Sequence, residues 1–164
     1  MAKRLVSFGV NLLVYDPYVI QERVEAVGAQ IVDLDTLLKD SDIVTVHCTP
    51  TEETRRLIGA REFALMKKTA VFINTARASI TDEDALLNAL CEGTIAGAGL
   101  DVFSMEPVDC DNVFLELENV TVMPHMGSNT VETIERQSRT ITDAIIEFTK
   151  GRRPKNVVNP EVFE

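Results

Sequence analysis

The sequence predicts an α/β domain built on a doubly wound parallel sheet, and two observations support this fold class. Short apolar runs rich in Val and Ile alternate with helical patterns along almost all of the 164 residues. The runs are nearly continuous in apolarity, as expected for strands that are buried on both faces of a parallel sheet. Strands that alternate with helices favour crossover connections. The length suits a single domain with a proper core.

Six strands are predicted, and each is followed by a turn or by polar residues. They cover residues 11–16, 30–32, 42–48, 70–76, 95–102 and 120–124. The first of them, NLLVYD, is expected to be buried, and the residues before it are expected to end a helix. The fifth contains Gly97 and Gly99, the one G-x-G of the sequence, where small residues allow close backbone packing.

The helices between the strands are predicted from apolar spacing and from their end signals. They cover residues 19–27, 33–42, 59–68, 81–93 and about 130–149, the last with apolar residues repeated on one face. Gly28 and Gly93 are expected to end their helices. In TDEDALLNALCEG, Thr81 is the expected N-cap, with Asp84 at the third helical position in an arrangement close to a capping box. Residues 1–150 form the predicted domain, and the tail 151–164 is expected to pack outside it.

Composition excludes several classes of partner. The net charge is −10 and the isoelectric point is near 4.7, which argues against nucleic acid or an anionic membrane surface because either calls for a basic face. The three cysteines, Cys48, Cys91 and Cys110, have no C-x-x-C spacing and indicate neither a disulfide framework nor a metal site. A reducing, cytoplasmic setting fits them best. No apolar run has membrane-spanning length.

Ligands of an open parallel sheet bind beyond the carboxyl ends of its strands, so the residues at those ends matter most. Asp16 ends the first strand and is followed by Pro17 and Tyr18. A carboxylate at this position can accept both hydroxyls of an adenosine ribose and would repel a 2′-phosphate, which favours NAD over NADP. A turn aspartate before proline is the alternative interpretation.

The other strand ends carry further polar side chains. His47 follows the third strand and is interpreted as a histidine packed at the strand end, before a Thr-Pro run that forms a cleft wall or a polar turn. Arg77 follows the fourth strand, where a guanidinium can bind a small carboxylate through two parallel hydrogen bonds. Asp101, Glu106 and His125 follow the last two strands. The coincidence of these groups at one sheet edge indicates a ligand site.

Five blocks of sequence, taken in order, resemble the D-isomer-specific 2-hydroxyacid dehydrogenases, the family of phosphoglycerate dehydrogenase and glyoxylate/hydroxypyruvate reductase. The blocks are VYDPY, HCTPTEETRRLIG, INTARASITDEDAL, GLDVFSMEP and VMPHMGSNT. The resemblance runs from about residue 2 to about residue 150. It implies a Rossmann-like NAD-binding domain, and an NAD-dependent oxidoreductase that transfers a hydride between NAD(H) and a small 2-hydroxy or 2-oxo acid.

The resemblance also implies a role for each matching residue. His125 would be the acid/base and Glu106 would hold its imidazole, while Arg77 would bind the substrate carboxylate. Asp101 would receive the nicotinamide carboxamide, and Asp16 the adenosine ribose. The residues expected to line the cofactor cleft are Asp16, Pro17, Tyr18, His47, Thr49, Pro50, Thr54, Thr75, Ala76, Arg77, Asp101, His125 and Gly127. No metal is expected.

The sequence departs from the family pattern in two places. Ala78 and Ser79 stand where many members have two glycines, and the turn is expected to form because alanine readily adopts negative φ. The G-x-G-x-x-G loop, the strand before it and the substrate domain have no counterpart. The domain is therefore expected to be N-terminally truncated, with Met1 at a position inside the family's first helix. The tail 151–164 is expected to pack on the substrate domain.

This second departure shapes the functional expectations. Without the glycine loop and a closing domain, we expect the chain alone to bind NADH weakly and to turn over little. We also expect a homodimer or larger assembly, because truncation uncovers apolar surface. Two alternatives to an oxidoreductase stay open, namely a non-enzymatic NAD-linked module similar to transcriptional corepressors, and a truncated product without its own function.

Overall fold

The computed structural model describes residues 1–163 and shows a parallel sheet with flanking helices. The strands are β1 (Leu12–Val14), β2 (Ala29–Ile31), β3 (Ile43–Val46), β4 (Val71–Asn74), β5 (Gly97–Leu100) and β6 (Val120–Val122). The α-helices are α1 (Ala2–Leu5), α2 (Gln21–Glu25), α3 (Leu34–Asp40), α4 (Ala60–Leu65), α5 (Glu83–Cys91) and α6 (Val131–Thr149). Short 3-10 helices cover Val6–Phe8, Ala78–Ile80, Val113–Leu115 and Pro160–Phe163. The Rossmann-like fold class is confirmed, and all six strands coincide with predicted ones.

The strands form two separate parallel sheets. One contains β1 and β2, and the other has the order β3-β4-β5-β6. Among the residues that the structure describes, β1 and β3 each have a strand on one edge only. The expectation that the first strand is buried is wrong, since the three residues of β1 are half-buried. The side chains of a strand point to the two faces of its sheet, and only two buried apolar residues, Val24 and Ala29, lie in the α2–β2 region beside β1.

The chain divides into two compact units, residues 1–125 and the residues from 126 onward. The first unit contains all six strands. The second contains α6, which begins after the N-cap Thr130, and the residues after it. Within this second unit, the rings of Phe148 and Phe163 meet edge to face with centroids 6.3 Å apart. Docking of the tail outside the domain stays a prediction.

The hydrophobic core of the first unit is built around the four-stranded sheet. Its buried members begin at Leu38 and end at Phe114. Phe63 and Phe72 are fully buried at its centre and meet edge to face with centroids 5.3 Å apart. Val24 and Ala29, the buried apolar residues of the α2–β2 region, are not members of this cluster.

The N-cap of α5 is Asp82, and the prediction of Thr81 is wrong. Asp82 accepts a hydrogen bond from the Ala85 N–H at 3.3 Å. The Thr81 hydroxyl instead accepts a bond from the buried Asn74 side chain at 3.1 Å. Both residue types cap helices well, so a tertiary contact decided between them. Gly93 ends the helix in the left-handed region, with φ +65°, as predicted.

Glycine and alanine take the backbone positions that the sequence indicates. A Cβ on Gly97 would stand 2.6 Å from the Asn119 carbonyl oxygen, so this strand position accepts only glycine without a backbone shift. Gly28 has φ +71° after α2. Ala78 and Ser79 enter a 3-10 helix and need no left-handed conformation, which confirms that the turn forms without glycine.

Candidate active site

A cavity of about 320 Å³ opens at the carboxyl ends of β3 and β4. It is lined by His47, Cys48, Thr49, Pro50, Thr75, Ala76 and Arg77. Six of these were predicted to line a cofactor cleft, so the structure brings them together at one place. The sequence analysis missed Cys48, because it considered the cysteines only as disulfide partners or metal ligands.

The turn that carries Arg77 is held by a residue that the sequence analysis also missed. Asn74, the last residue of β4, is 2% exposed. Its side-chain oxygen accepts the Ala76 N–H at 3.0 Å, and its amide group donates to the Arg77 carbonyl at 3.0 Å and to the Thr81 hydroxyl. A polar residue inside an apolar strand is the signal that could have identified it, because buried amides need partners.

Glu106 and His125 form a direct pair beyond β5 and β6. His125 Nδ1 lies 2.7 Å from Glu106 Oε2, and the Phe103 N–H donates to Glu106 Oε1 at 3.1 Å. The hydrogen bond with His125 holds the pKa of Glu106 below its usual range, and the Phe103 N–H and the positive charge of Arg77 lower it further. The ionised form of the Glu106 carboxyl group is thus favoured by three groups, of which His125 contributes most.

His125 adopts the left-handed backbone region, with φ +54°. Residues other than glycine occupy this region at a cost, and such positions cluster at functional sites. The strained backbone and the contact with Glu106 together fix the direction of the imidazole. Nδ1 faces the carboxylate, which leaves Nε2 as the ring nitrogen that can exchange a proton with a substrate.

Arg77 and His47, which both line the cavity, are exposed. Arg77 Nη1 donates to the Ala76 carbonyl at 2.6 Å. His47 was interpreted as packed at a strand end, and this is wrong, because its ring is exposed at the cavity and Nε2 lies 3.1 Å from the Thr45 hydroxyl. Val46, the last residue of β3, is buried, and successive side chains of a strand point to opposite faces. The His47 side chain therefore lies on the exposed face. Partial loss of water around the ring lowers the pKa of His47.

Asp16 is exposed in the turn after β1, with Pro17 and Tyr18. The Tyr18 N–H donates to Asp16 Oδ1 at 2.9 Å, and the Tyr18 hydroxyl donates to Glu53 Oε2 at 2.6 Å. That bond and the charge of Glu53 raise the pKa of Tyr18. Burial raises the pKa of Cys48, and the charge of Asp16 raises it further.

The remaining predicted residues occupy different environments. The Thr54 hydroxyl donates to the Thr49 carbonyl at 2.8 Å and accepts the Thr51 N–H at 2.8 Å, so it stabilises the turn after β3. Asp101 is 6% exposed at the end of β5. Gly127 belongs to the second compact unit, and its contribution to a cofactor site stays a prediction.

The arrangement fits parts of a dinucleotide. The exposed Asp16 carboxylate matches the hydroxyls of a ribose, and the polar wall of the cavity from Thr49 to Arg77 suits a polar ligand. In the part of the chain that the structure describes, no three His, Cys, Asp or Glu side chains are grouped to hold a metal ion. None of the described helices is long and apolar enough to cross a membrane.

Comparisons with known proteins agree on one family. Residues 1–127 match the model of the D-isomer specific 2-hydroxyacid dehydrogenase, NAD binding domain. The chain is 44% identical over 163 residues to glyoxylate reductase from Thermococcus litoralis, covering 99% of this chain and 49% of that protein. It is 42% identical over 159 residues to D-3-phosphoglycerate dehydrogenase from Archaeoglobus fulgidus, covering 97% of this chain and 30% of that protein. The chain thus spans about half the length, or less, of these relatives.

Solved structures are similar in the same way. The NAD-complexed D-isomer specific 2-hydroxyacid dehydrogenase from Lactobacillus delbrueckii superposes with a TM-score of 0.84 at 30% identity, covering 96% of this chain and 51% of that one. The apo-structure of D-lactate dehydrogenase from Escherichia coli gives a TM-score of 0.86 at 33% identity, covering 95% of this chain and 49% of that one.

Proposed function

The chain belongs to the D-isomer-specific 2-hydroxyacid dehydrogenase family, in which it corresponds to the NAD-binding domain, and we propose that it serves the NAD-dependent reduction of small 2-oxo acids to 2-hydroxy acids. The observation that supports this function best is the Glu106–His125 pair, whose nearest side-chain atoms are 2.7 Å apart. The positive charge of Arg77 also lowers the pKa of Glu106. A cation, a proton donor and an orienting carboxylate are the groups that carbonyl reduction requires of the protein.

In this proposal, Arg77 binds the carboxylate of the 2-oxo acid. A guanidinium can form two parallel hydrogen bonds to a carboxylate and so fixes its orientation as well as its position. The buried Asn74 clamp holds the backbone on both sides of the Ala76–Arg77 bond, while the Arg77 side chain is exposed. The backbone is therefore positioned in advance, and the guanidinium can turn from the Ala76 carbonyl to a substrate.

His125 donates the proton to the carbonyl oxygen through Nε2, and Glu106 stabilises the imidazolium before the transfer. The Glu106 carboxylate has its second oxygen on the Phe103 N–H, so it is fixed before any ligand binds. Pre-organised charge of this kind stabilises a transition state more effectively than water does. The protonated ring also lowers the energy of negative charge that develops on the substrate oxygen.

The cofactor in this proposal is NAD(H), and when bound it supplies the hydride that reduces the carbonyl carbon. Asp16 would hold the adenosine ribose, and Asp101 the nicotinamide carboxamide. The cavity wall from Thr49 to Arg77, together with His47, would line the intervening cleft. The negative charge of Asp16 would disfavour a 2′-phosphate, which gives the preference for NAD over NADP.

The test is a chimera in which this chain replaces the matching 163 residues of the Thermococcus litoralis glyoxylate reductase. The part of the chimera that this chain does not cover, about half of its length, comes from that protein. The chimera is expected to reduce glyoxylate with NADH. R77Q should raise KM by roughly 10- to 100-fold, because a hydrogen bond to a charged group is lost. H125N should lower kcat by on the order of 10²- to 10⁴-fold, the usual worth of a general acid.

The isolated chain provides the matching control. NADH binding to it, followed by saturation-transfer NMR, is expected to be weak and to weaken further in D16A. A chimera that folds and binds NADH but reduces neither glyoxylate nor hydroxypyruvate would contradict the proposed reaction. Turnover that H125N leaves unchanged would contradict the assignment of the proton donor.

Two further proposals concern the setting of the protein. We propose a homodimer or larger assembly, supported by the exposed apolar side chains of Ile134, Ile141, Ile145 and Phe148 along one face of α6. Light scattering on the purified chain tests it, and a strict monomer would contradict it. We also propose a cytoplasmic location, supported by three free and exposed cysteines.

A further inference from the structure

The first turn of α5 is linked to the loop that carries Glu106. One carboxylate oxygen of Glu83 accepts the Ser104 N–H at 3.0 Å, and the other accepts the Ser104 hydroxyl. Glu83 thus uses both oxygens on a single residue 21 positions further along the chain. An acidic residue in the first turn is favourable for the helix by itself, but that effect does not require a partner in a distant loop.

The position of Ser104 makes this contact relevant to the active site. The residue before it, Phe103, donates its N–H to Glu106 Oε1, and Glu106 Oε2 faces His125. Two contacts therefore hold the short loop between β5 and Glu106. Within the loop, the Phe103 N–H donates to Glu106, and from α5 Glu83 accepts from Ser104. Ser104 itself is exposed, whereas Phe103 beside it is buried in the core. The two hydrogen bonds to Glu83 therefore add a second restraint to the one that the packing of Phe103 provides.

Glu83 itself stands on a rigid base. The helix that carries it buries Leu86 and Leu90 in the core, and Asp82 immediately before it caps the helix and pairs with Arg56. Thr81 accepts the Asn74 bond described above. Three consecutive residues, 81–83, thus contact the ends or loops of three different strands, namely β4, β3 and β5.

We propose that Glu83 is a positioning residue that, through Ser104, keeps Glu106 in place against Nδ1 of His125. This inference rests on the proposed function for its significance, because it concerns the group that orients the proton donor. A small cavity of about 10 Å³ beside Asn74, Thr81 and Glu83 has room for one water molecule at most, so a ligand site is not the reason for the carboxylate.

The tautomer of His125 reports the contact without requiring activity or a ligand. A carboxylate on Nδ1 favours the ring form with hydrogen on Nδ1, and loss of the carboxylate releases the ring to the Nε2–H form. The chain has only two histidines, so nitrogen-15 ring spectra at alkaline pH contain two systems. The H47N variant assigns them, and E106A, which removes the acceptor, sets the signal of a broken pair.

The E83A variant is expected to move His125 toward the E106A signal. The ratio of Nδ1–H to Nε2–H forms should fall by roughly 3- to 10-fold, the range that corresponds to the net worth of one hydrogen bond. E83Q keeps an acceptor for the Ser104 N–H and should retain most of the wild-type ratio. E92A, at the exposed far end of the same helix, is the matched control and should leave the ratio unchanged.

Each outcome separates this inference from the proposed function. If E106A shifts the tautomer and E83A does not, Glu83 has no positioning role and the proposed reaction is unaffected. If E106A itself leaves the tautomer unchanged, the pair is not formed in solution, and both proposals are contradicted. Should E83A fail to fold, S104A removes only the hydroxyl contact and is expected to give an intermediate ratio, and a wild-type ratio in S104A would overturn the inference.

Discussion

The two sheets of the first unit differ in how firmly they hold what lies at their ends. The four-stranded sheet packs on a continuous core, and the segments at its carboxyl end are joined by the contacts of Asn74 with Thr81, Asp82 with Arg56 and Glu83 with Ser104. The strands β1 and β2 pair only with each other, β1 is half-buried, and the Asp16 turn is exposed. The hydrogen bond from the Tyr18 hydroxyl to Glu53 links the Asp16 turn to the loop after β3.

This difference separates the chemistry from cofactor selection. The buried Asn74 fixes the backbone that carries Arg77, and Glu106 and His125 hold each other at a half-exposed position. The carboxylate proposed to bind the ribose stands instead on a small, lightly packed sheet. Regions with few buried apolar contacts open at lower free-energy cost than the core does. We therefore expect the ribose end to be the first part of the unit to loosen.

The largest expected effect separates the cores of the two sheets. F72A removes a fully buried ring at the centre of the large core and should lower the free energy of unfolding by about 3–5 kcal/mol. L13A shortens a half-buried residue of β1 and should cost roughly 1 kcal/mol, because part of the side chain is already in water. Urea denaturation measures both. Equal losses would contradict the contrast between the sheets.

The buried clamp at the carboxyl end of β4 is expected to give the next largest effect. N74D keeps the size of the side chain and the acceptor for Ala76, but it loses the donors to the Arg77 carbonyl and to Thr81. Stability should fall by about 2–3 kcal/mol, because buried polar groups lose their partners.

The matched control for the clamp is N88D, the same change on the exposed face of α5, which should alter stability by less than about 0.5 kcal/mol. Thermal unfolding followed by circular dichroism compares the two variants. A similar loss in both would mean that the added charge, rather than the clamp, sets the cost.

The sequence was sufficient for the large features because they depend on local pattern. Val- and Ile-rich runs located all six strands, and the rule that ligands bind at strand ends brought Arg77, Glu106 and His125 together as candidates. The strands proved shorter than the apolar runs, since pairing stops where the chain turns away from the sheet. Short polar segments after strands are informative because topology, rather than propensity, brings them together.

The supporting contacts could not be predicted because they depend on tertiary distance. Glu83 and Ser104 lie 21 residues apart, and no spacing rule relates a helix start to a loop after the next strand. The choice between Thr81 and Asp82 as N-cap was decided by Asn74, a buried partner that the local sequence does not reveal. His47 was misinterpreted because the apolar run before it does not reveal which face of the strand end is exposed.

A smaller effect concerns the cap of α5. D82A removes the hydrogen bond to the Ala85 N–H and the ion pair with Arg56, and should cost about 1 kcal/mol. D84A removes an exposed carboxylate two residues later, in the same first turn of the helix. It is the control and should cost less. The Arg56 bond holds the pKa of Asp82 below its usual range.

The depressed pKa gives this prediction a pH dependence. A carboxyl group with a lowered folded pKa stabilises the protein fully above its ordinary pKa of about 3.9, and that stabilisation is lost as the pH falls through the lower folded value. The difference between wild type and D82A, measured by urea denaturation, should therefore be constant near neutrality and shrink in acid. A difference that grows in acid would contradict the role of the ionised carboxylate.

The smallest effect tests the link at the ribose end. The chain has two tyrosines and no tryptophan, so ultraviolet titration of a Y15F background reports Tyr18 alone. The Glu53 carboxylate raises the pKa of Tyr18, because it accepts the phenol hydrogen and repels the phenolate. E53Q in the same background should lower that pKa toward the usual tyrosine value, while E52Q, next to it and exposed, should change it less. If E53Q has no effect, the Asp16 turn lacks this contact in solution, and the ribose end is even less restrained than the structure indicates.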